Sequence, residues 1–427
     1  MRRAAAIGLL LAGVLRAASA SGYPLDGYPE TGITRLDAYR RAMEGNIRFL
    51  PHGAEFPGSA VRLHLADRPD FRIPDPDRVL SAKLSALLGN DRAAYGIALL
   101  DLTDPWEPRY AEHNAGMLLS PASVGKILVA LSLFQALADV YPDDVDARRR
   151  VLRETIVTAN RFIRTDEHKV PVWAPGDPIV IRRPIEEGDT ANLWTYLDWM
   201  CSASSNAAGS MVQREALLLR RFGREYPVDA DRASAYFEDT PKGELQADLA
   251  TALEAPVTRN GLDLSRLRQG RFFTREGKSV IPGTSSHASS RELLRYLVRM
   301  EQGRLVDDFS SLAIKRLLYL TDVRIRYASS PALTNAAVYF KSGSLFGCAP
   351  EPGFVCEKYR GNVRNYMNSV AIIETPDRNP PLRYLVAVMS NVLRRNSGEV
   401  HQELATDIHQ LIESLHPVAS PGAAASP

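Results

Sequence analysis

Three cysteines in 427 residues are too few for a disulfide-built scaffold, and a chain of this length buries a core without staples. No apolar run reaches the roughly 18 residues of a membrane span, so none is expected. Charge of one sign is also missing. Lys and Arg number 52 against 50 Asp and Glu, a net charge of +2. That balance excludes nucleic-acid binding through a broad basic surface. The eight histidines form no H-E-x-x-H pair, which speaks against a zinc hydrolase and leaves no metal or cofactor expected. No internal repeat is visible. What remains, with 45% hydrophobic and 24% charged residues, is an ordinary globular composition.

The first twenty residues read as a leader. Met1-Arg2-Arg3 is a short basic start, residues 4–15 are apolar, and Ala18-Ser19-Ala20 gives an A-x-A cleavage pattern. No cysteine follows it, so no lipid anchor is expected. The mature chain is then exported, periplasmic or secreted, and close to neutral. Export implies an oxidising compartment, where disulfides persist. Cys348 and Cys356 would close the shortest loop, but three separate thiols with Cys201 is an equally simple state.

Residues 21–75 are rich in proline, glycine and charge and read as an N-terminal extension packed on the main domain, with a helix predicted over 35–49 that aligns Leu36, Tyr39 and Met43. A second helix is predicted over 75–88, with Val79, Leu80, Leu84, Leu87 and Leu88 on one stripe and Gly89 as its stop. Runs at 95–102 and 109–114 read as a hairpin turning at Asp104-Pro105. From 126 to 330 the pattern is almost entirely helical, clearest at 127–140 and 289–300. Strands return at 336–341, 369–375 and 383–391, and an amphipathic helix spans 399–415. Residues 417–427 form a Pro/Ala/Ser tail expected to be disordered. The expected class is mixed α/β (α+β): one antiparallel sheet from both strand groups, N- and C-terminal helices on one face, and an all-helical lobe. The crevice between lobes is the natural pocket.

Three motifs carry chemistry. Ser123-Val124-Gly125-Lys126 is an S-x-x-K where a loop meets a helix, so serine and lysine point the same way one turn apart. A serine hydroxyl needs a base, and a desolvated lysine with a lowered pKa can be that base. Ser204-Ser205-Asn206 is an S-x-N, a hydroxyl able to relay a proton beside an amide able to hold an ammonium and a carbonyl. Lys341-Ser342-Gly343-Ser344 follows an apolar run, and its lysine and hydroxyls suit a carboxylate while Gly343 admits a substrate backbone. Read singly, each is also a helix cap, a polar turn or a strand end.

Their order and context resemble the penicillin-recognising serine hydrolases, the class A β-lactamases and the D,D-peptidases or penicillin-binding proteins. Ser205 stands where the family's S-D-N has aspartate, and serines replace the threonines of K-T-G-T. The resemblance covers about residues 76–416, the expected catalytic domain. It implies Ser123 as the acylated nucleophile, Lys126 as its base and Ser204 as the proton donor to the leaving nitrogen. Asn206 would hold Lys126 and the substrate amide. Lys341, Ser342 and Ser344 would bind the carboxylate of a β-lactam or a peptidoglycan D-alanyl peptide. The N–H groups of Ser123 and Ser344 would form the oxyanion hole. The family's E-x-x-L-N segment is missing, and Glu276 in Thr274-Arg275-Glu276-Gly277-Lys278 is the nearest substitute for its deacylating base. The resemblance thus implies a monomeric acyl-enzyme hydrolase. Its alternatives are a peptidase that deacylates slowly and a cell-wall-binding module without turnover.

Overall fold

A computed structural model describes residues 25–44, 56–321 and 324–418. The leader over 1–20, nearly all of the 417–427 tail and the 45–49 end of the first predicted helix lie outside the described residues.

One sheet organises the molecule. Its strands are β1 (Tyr95–Asp101), β2 (Arg109–His113), β3 (Ala337–Gly347), β4 (Arg364–Glu374) and β5 (Arg383–Asn391). They pair antiparallel throughout, in the order β2-β1-β5-β4-β3. The hairpin β1–β2 therefore joins a sheet whose other strands arrive more than 220 residues later. Alternate side chains serve two cores, as a pleat requires. Ile97, Leu99, Val386, Val388 and Phe340 bury on one face, and Ala98, Leu100, Leu385, Ala387 and Tyr339 on the other.

The helices that matter to the site are α1 (Thr34–Glu44), α2 (Arg78–Ala86), α3 (Lys126–Val140), α4 (Leu193–Cys201), α5 (Asn206–Phe222), α6 (Ser290–Glu301), α7 (Asp308–Tyr319) and α8 (Ser397–Leu415). The first face is covered by α2 and α8, through Leu80, Leu84, Leu404, Ile408 and Ile412. Asp77 caps α2 by accepting from Leu80 N at 2.9 Å and also pairs with Arg109 of β2 at 2.7 Å. The other face carries α6 and α7, and beyond them the lobe built on α3, α4 and α5. By length and composition alone, Ala122–Val140 could pass for a membrane span, but most of it is buried inside the protein, as in a core helix.

Several expectations need correction. The lobe is not purely helical: it holds three small antiparallel ladders, at 156–158 with 190–192, 170–172 with 181–183, and 267–268 with 287–288. Such two- or three-residue strands are too short to show a period of two. Val79 is 64% exposed and off the stripe of α2. On α1, Arg35 is as buried as Leu36, because its guanidinium makes a bidentate pair with Asp198 of α4 at 2.6 and 2.7 Å. Finally, β3 continues to Gly347, so the Lys341-Ser342-Gly343-Ser344 motif lies within a strand paired to β4. Cys348 and Cys356 are joined just beyond it, and Cys201 is a buried free thiol.

Candidate active site

A tight turn, Ala122–Gly125, delivers Ser123 to the start of α3. Ala122 adopts φ of 48°, a left-handed backbone that costs a non-glycine residue roughly 1 kcal/mol. Lys126 follows one turn later with its side chain fully buried. Its Nζ lies 2.9 Å from Ser123 Oγ, 2.8 Å from Asn206 Oδ1 and 2.7 Å from Ser204 O. The Phe273 ring covers a further side, 4.7 Å from Nζ to the ring centre. Burial pushes the Lys126 pKa well below its ordinary value, and the nearby Lys341 pushes it the same way.

As an ammonium, Lys126 donates to all three partners; once the amine is neutral, the inventory sets a different polarity. A neutral amine has two hydrogens and one lone pair. Ser204 O and Asn206 Oδ1 only accept, so they take the two hydrogens. The lone pair is left for the Ser123 hydroxyl, which becomes the donor.

Ser204 comes from the connection between α4 and α5, and Asn206 is the first residue of α5. Ser204 has φ of 59°, another strained residue. Its hydroxyl receives Lys341 Nζ at 2.8 Å, and the same amine donates to Ser342 O at 2.9 Å. Burial, with the Arg326 charge nearby, lowers the Lys341 pKa to about 7. Thus one chain of contacts runs Ser123, Lys126, Ser204, Lys341, across residues 218 positions apart in sequence.

Gly343 explains how β3 comes so close. A Cβ there would sit 2.5 Å from Pro121 O, 2.6 Å from Ser123 N and 2.7 Å from Val124 N. Only glycine lets the strand lie against the nucleophile's turn. Asn368 of β4 adds a tie, donating from Nδ2 to Ser120 O at 2.9 Å.

Two features escaped the sequence reading. Ser205, in the aspartate position of S-D-N, caps α5 by accepting from Ala208 N at 3.1 Å and donates to Asp166 Oδ2 at 2.8 Å. Asp166 also accepts from Ala207 N at 2.8 Å, so a carboxylate reaches the start of α5 from a remote loop. Against the opposing effect of burial, hydrogen bonds from His168, Ala207 and Ser205 hold the Asp166 pKa down to about 2. The second feature is Arg326, which donates to Ser342 Oγ at 2.7 Å, Ser344 Oγ at 3.1 Å and Tyr359 Oη at 2.7 Å. Its φ of 54° is strained, and its guanidinium lies 4.6 Å from the Tyr359 ring centre. A lone arginine in a loop gives no local signal. Only the S-x-N pattern, with a serine where an acid was expected, hinted that a carboxylate had to come from elsewhere.

Glu276 is not brought into the cluster. It lies on the short helix Arg275–Val280, capped by Thr274, with the Arg164 charge beside it. No hydrogen bond or ion pair joins it to Ser123, Lys126 or Asn206 among the described residues. The packing gives the reason: Phe273 occupies the open side of Lys126, and Gly277 lies against Phe272, where a Cβ would be 2.7 Å from the ring. Among the described residues no group of three His, Cys, Asp or Glu side chains could hold a metal ion. A separate apolar cavity of about 580 Å³ lies between the N-terminal segment and α7, and none of the cluster residues lines it.

With this geometry in place the fold can be compared with solved structures. The TLA-3 extended-spectrum β-lactamase is 12% identical and superposes with a TM-score of 0.50, covering 79% of this chain and 98% of its own. PBP-A is 14% identical at a TM-score of 0.48, covering 80% of this chain and all of its own. A β-lactamase from Chitinophaga pinensis DSM 2588 is 15% identical at 0.48, covering 79% and 99%. No family model matches the sequence, and no curated protein does. The fold is that of the TLA-3 β-lactamase structure. At the level of fold, then, the protein is β-lactamase-like.

Proposed function

We propose that the protein is an exported serine hydrolase that forms an acyl-enzyme on Ser123 with β-lactams or D-alanyl peptides. The observation that carries this reading is the buried Lys126 amine, 2.9 Å from Ser123 Oγ with its other two partners both acceptors. Lys126 takes the hydroxyl proton as Oγ attacks the carbonyl carbon. The N–H groups of Ser123 and Ser344 receive the oxyanion. Ser204 hands its hydroxyl proton to the departing nitrogen and takes one from the Lys341 ammonium, while Lys126 keeps the proton of Ser123, and an ester on Ser123 remains. Lys341, Ser342, Ser344 and Arg326 face the substrate carboxylate with two cationic side chains and two hydroxyls.

One observation favours slow release. Water attacking the ester needs a base, worth roughly 10²–10⁴-fold in rate. Aromatic carbon covers the side of Lys126 left open by its polar partners, and among the described residues no carboxylate hydrogen-bonds to it. The protein is accordingly read as a penicillin-binding peptidase type with a long-lived acyl-enzyme. Intact mass spectrometry after mixing with penicillin tests both parts. A persistent adduct of one penicillin per chain is expected, absent from Ser123→Ala. An equal adduct on the alanine variant would overturn the assignment.

A further inference from the structure

Arginines in this protein are usually met by carboxylates: Arg109 by Asp77, Arg183 by Asp189, Arg259 by Asp139, Arg291 by Glu112. A cleft of about 720 Å³ breaks that rule. It lies at the C-terminal end of α6, against the 69–73 segment, and its lining includes Arg72, Arg295, Arg299, Arg304 and Asp70. Arg295 is bridged to Glu292 at 3.4 Å. Among the described residues the Arg304 guanidinium donates to a carbonyl, Pro69 O, at 2.6 Å and pairs with no carboxylate. The guanidinium groups of Arg72 and Arg299 make no hydrogen bond or ion pair among the described residues. Three guanidinium groups therefore share one cleft with a single unpaired carboxylate, Asp70, facing them.

The bland explanation is that these cations satisfy the end of α6, where helix carbonyls and the macrodipole favour positive charge. The backbone has already done that. Val298 O accepts from Gln302 N at 3.0 Å, Met300 O from Gly303 N at 3.0 Å, and Arg299 O from Arg304 N at 2.8 Å. The cleft is also a shaped one. Gln302 Nε2 donates to the carbonyls of Arg68, Pro69 and Phe71 at 3.3, 3.2 and 3.0 Å and so fixes the wall that carries Arg72. Gly261, at φ of 72°, leaves room for the Arg299 guanidinium, whose Nη2 would lie 2.6 Å from a Cβ at that position. Burial and the charges of Arg304 and Arg295 lower the Arg299 pKa against the opposing charge of Glu292, so these cations repel one another across the cleft.

We propose that this cleft is a binding site for a diphosphate-class anion, separate from the Ser123 cluster. Guanidinium forks match phosphate oxygens two at a time, and relief of mutual repulsion among three cations asks for more than one negative charge. The volume exceeds what a single orthophosphate fills, so a diphosphate carrying an organic substituent fits the space. None of the lining residues belongs to the acylation machinery, and the site stands or falls independently of it.

The test is isothermal titration of the full chain with inorganic pyrophosphate at fixed ionic strength, with orthophosphate and citrate as comparison arms. Saturable 1:1 binding of pyrophosphate is expected, at least tenfold tighter than either comparison anion. Arg299→Gln should weaken it tenfold or more, and so should the exposed Arg72→Gln, whose melting temperature should stay that of the parent. Penicillin acylation should be unchanged in both. Absence of pyrophosphate binding at millimolar concentration, equal binding by Arg72→Gln and Arg299→Gln, or tighter binding of citrate would each overturn the proposal.

Discussion

The sharpest test of the site's construction is Gly343→Ala, because its consequence follows from three distances. The added methyl would lie 2.5–2.7 Å from Pro121 O, Ser123 N and Val124 N. All three are backbone atoms, so no rotamer change relieves the clash. Ordinary contact is about 3.5 Å between heavy atoms, so β3 and the nucleophile's turn must part by roughly 1 Å. The strand cannot slide to escape, since Gly343 opposes Asn368 in an unbroken register from Ala337 to Gly347. Overpacking of this kind costs about 1–3 kcal/mol of stability. The larger effect is on rate. A 1 Å displacement pulls Ser344 N–H away from the carbon that Ser123 attacks, and such misplacement costs on the order of 10²-fold. Stopped-flow measurement of fluorescent penicillin acylation, with thermal melting in parallel, separates the two effects. Acylation at the parental rate in a folded Gly343→Ala variant would refute the contact that the whole arrangement depends on.

Further outcomes are expected. Glu276→Gln should leave both acylation and the decay of the acyl-enzyme within about twofold of the parent, and a trapped, far longer-lived ester would show that Glu276 reaches the pocket after all. Asp166→Asn removes the charge that Ser205 and Ala207 N share, and should slow acylation about tenfold while costing about 1–3 kcal/mol by denaturation; unchanged kinetics would relegate Asp166 to the surface. For Lys341, the folded pKa of about 7 lies below the ordinary lysine value of 10.5. Carboxylate affinity should fall as pH rises through 7 and the amine loses its charge. Between those two values the unfolded chain holds a proton that the folded chain has released, so the stability deficit of the parent relative to Lys341→Met is largest below pH 7, on the order of 5 kcal/mol, and shrinks toward pH 10.5. A deficit independent of pH would contradict the lowered pKa.

The sequence carried the sheet because its strands alternate and its turns are marked. The 383–391 run matches β5, and 95–102 exceeds β1 by one residue. The three motifs were legible through their order and context, since each alone is also a helix cap, a polar turn or a strand end. Their convergence was legible only through the resemblance, since nothing local places Lys341 on Ser204. What stayed hidden shares one cause: it depends on side chains that meet only after folding. Arg35 sits on an amphipathic stripe but buries for the sake of Asp198. Arg326 lies in a loop without pattern. Glu276 was chosen by its place in sequence, whereas the space beside Lys126 was taken by Phe273.

These late-meeting groups also show why the N-terminal segment matters to a cluster it never touches. The site is expensive to hold: two lysines are buried, and Ala122, Ser204 and Arg326 all take left-handed backbone. Strain of that kind persists only where surrounding structure over-determines it. The Ser204 turn is fixed from α4, where Asp198 O accepts from both Ser202 N at 2.7 Å and Ser202 Oγ at 2.8 Å. Asp198 in turn is clamped by Arg35, both side chains fully buried, with a third Arg35 bond to Leu320 O at 2.7 Å. Farther along the segment, His64 N donates to Glu301 at 2.8 Å, and Glu301 and Glu374 both pair with the buried Lys315 of α7. Residues 34–44 are thus tied through Arg35 to the lobe that presents Ser204, and residues 56–65 through His64 to Glu301 of α6 and Glu374 of β4, on the side of the sheet that presents Lys341. The relay between those two side chains is only 2.8 Å long, and it depends on the two halves of the molecule keeping their distance.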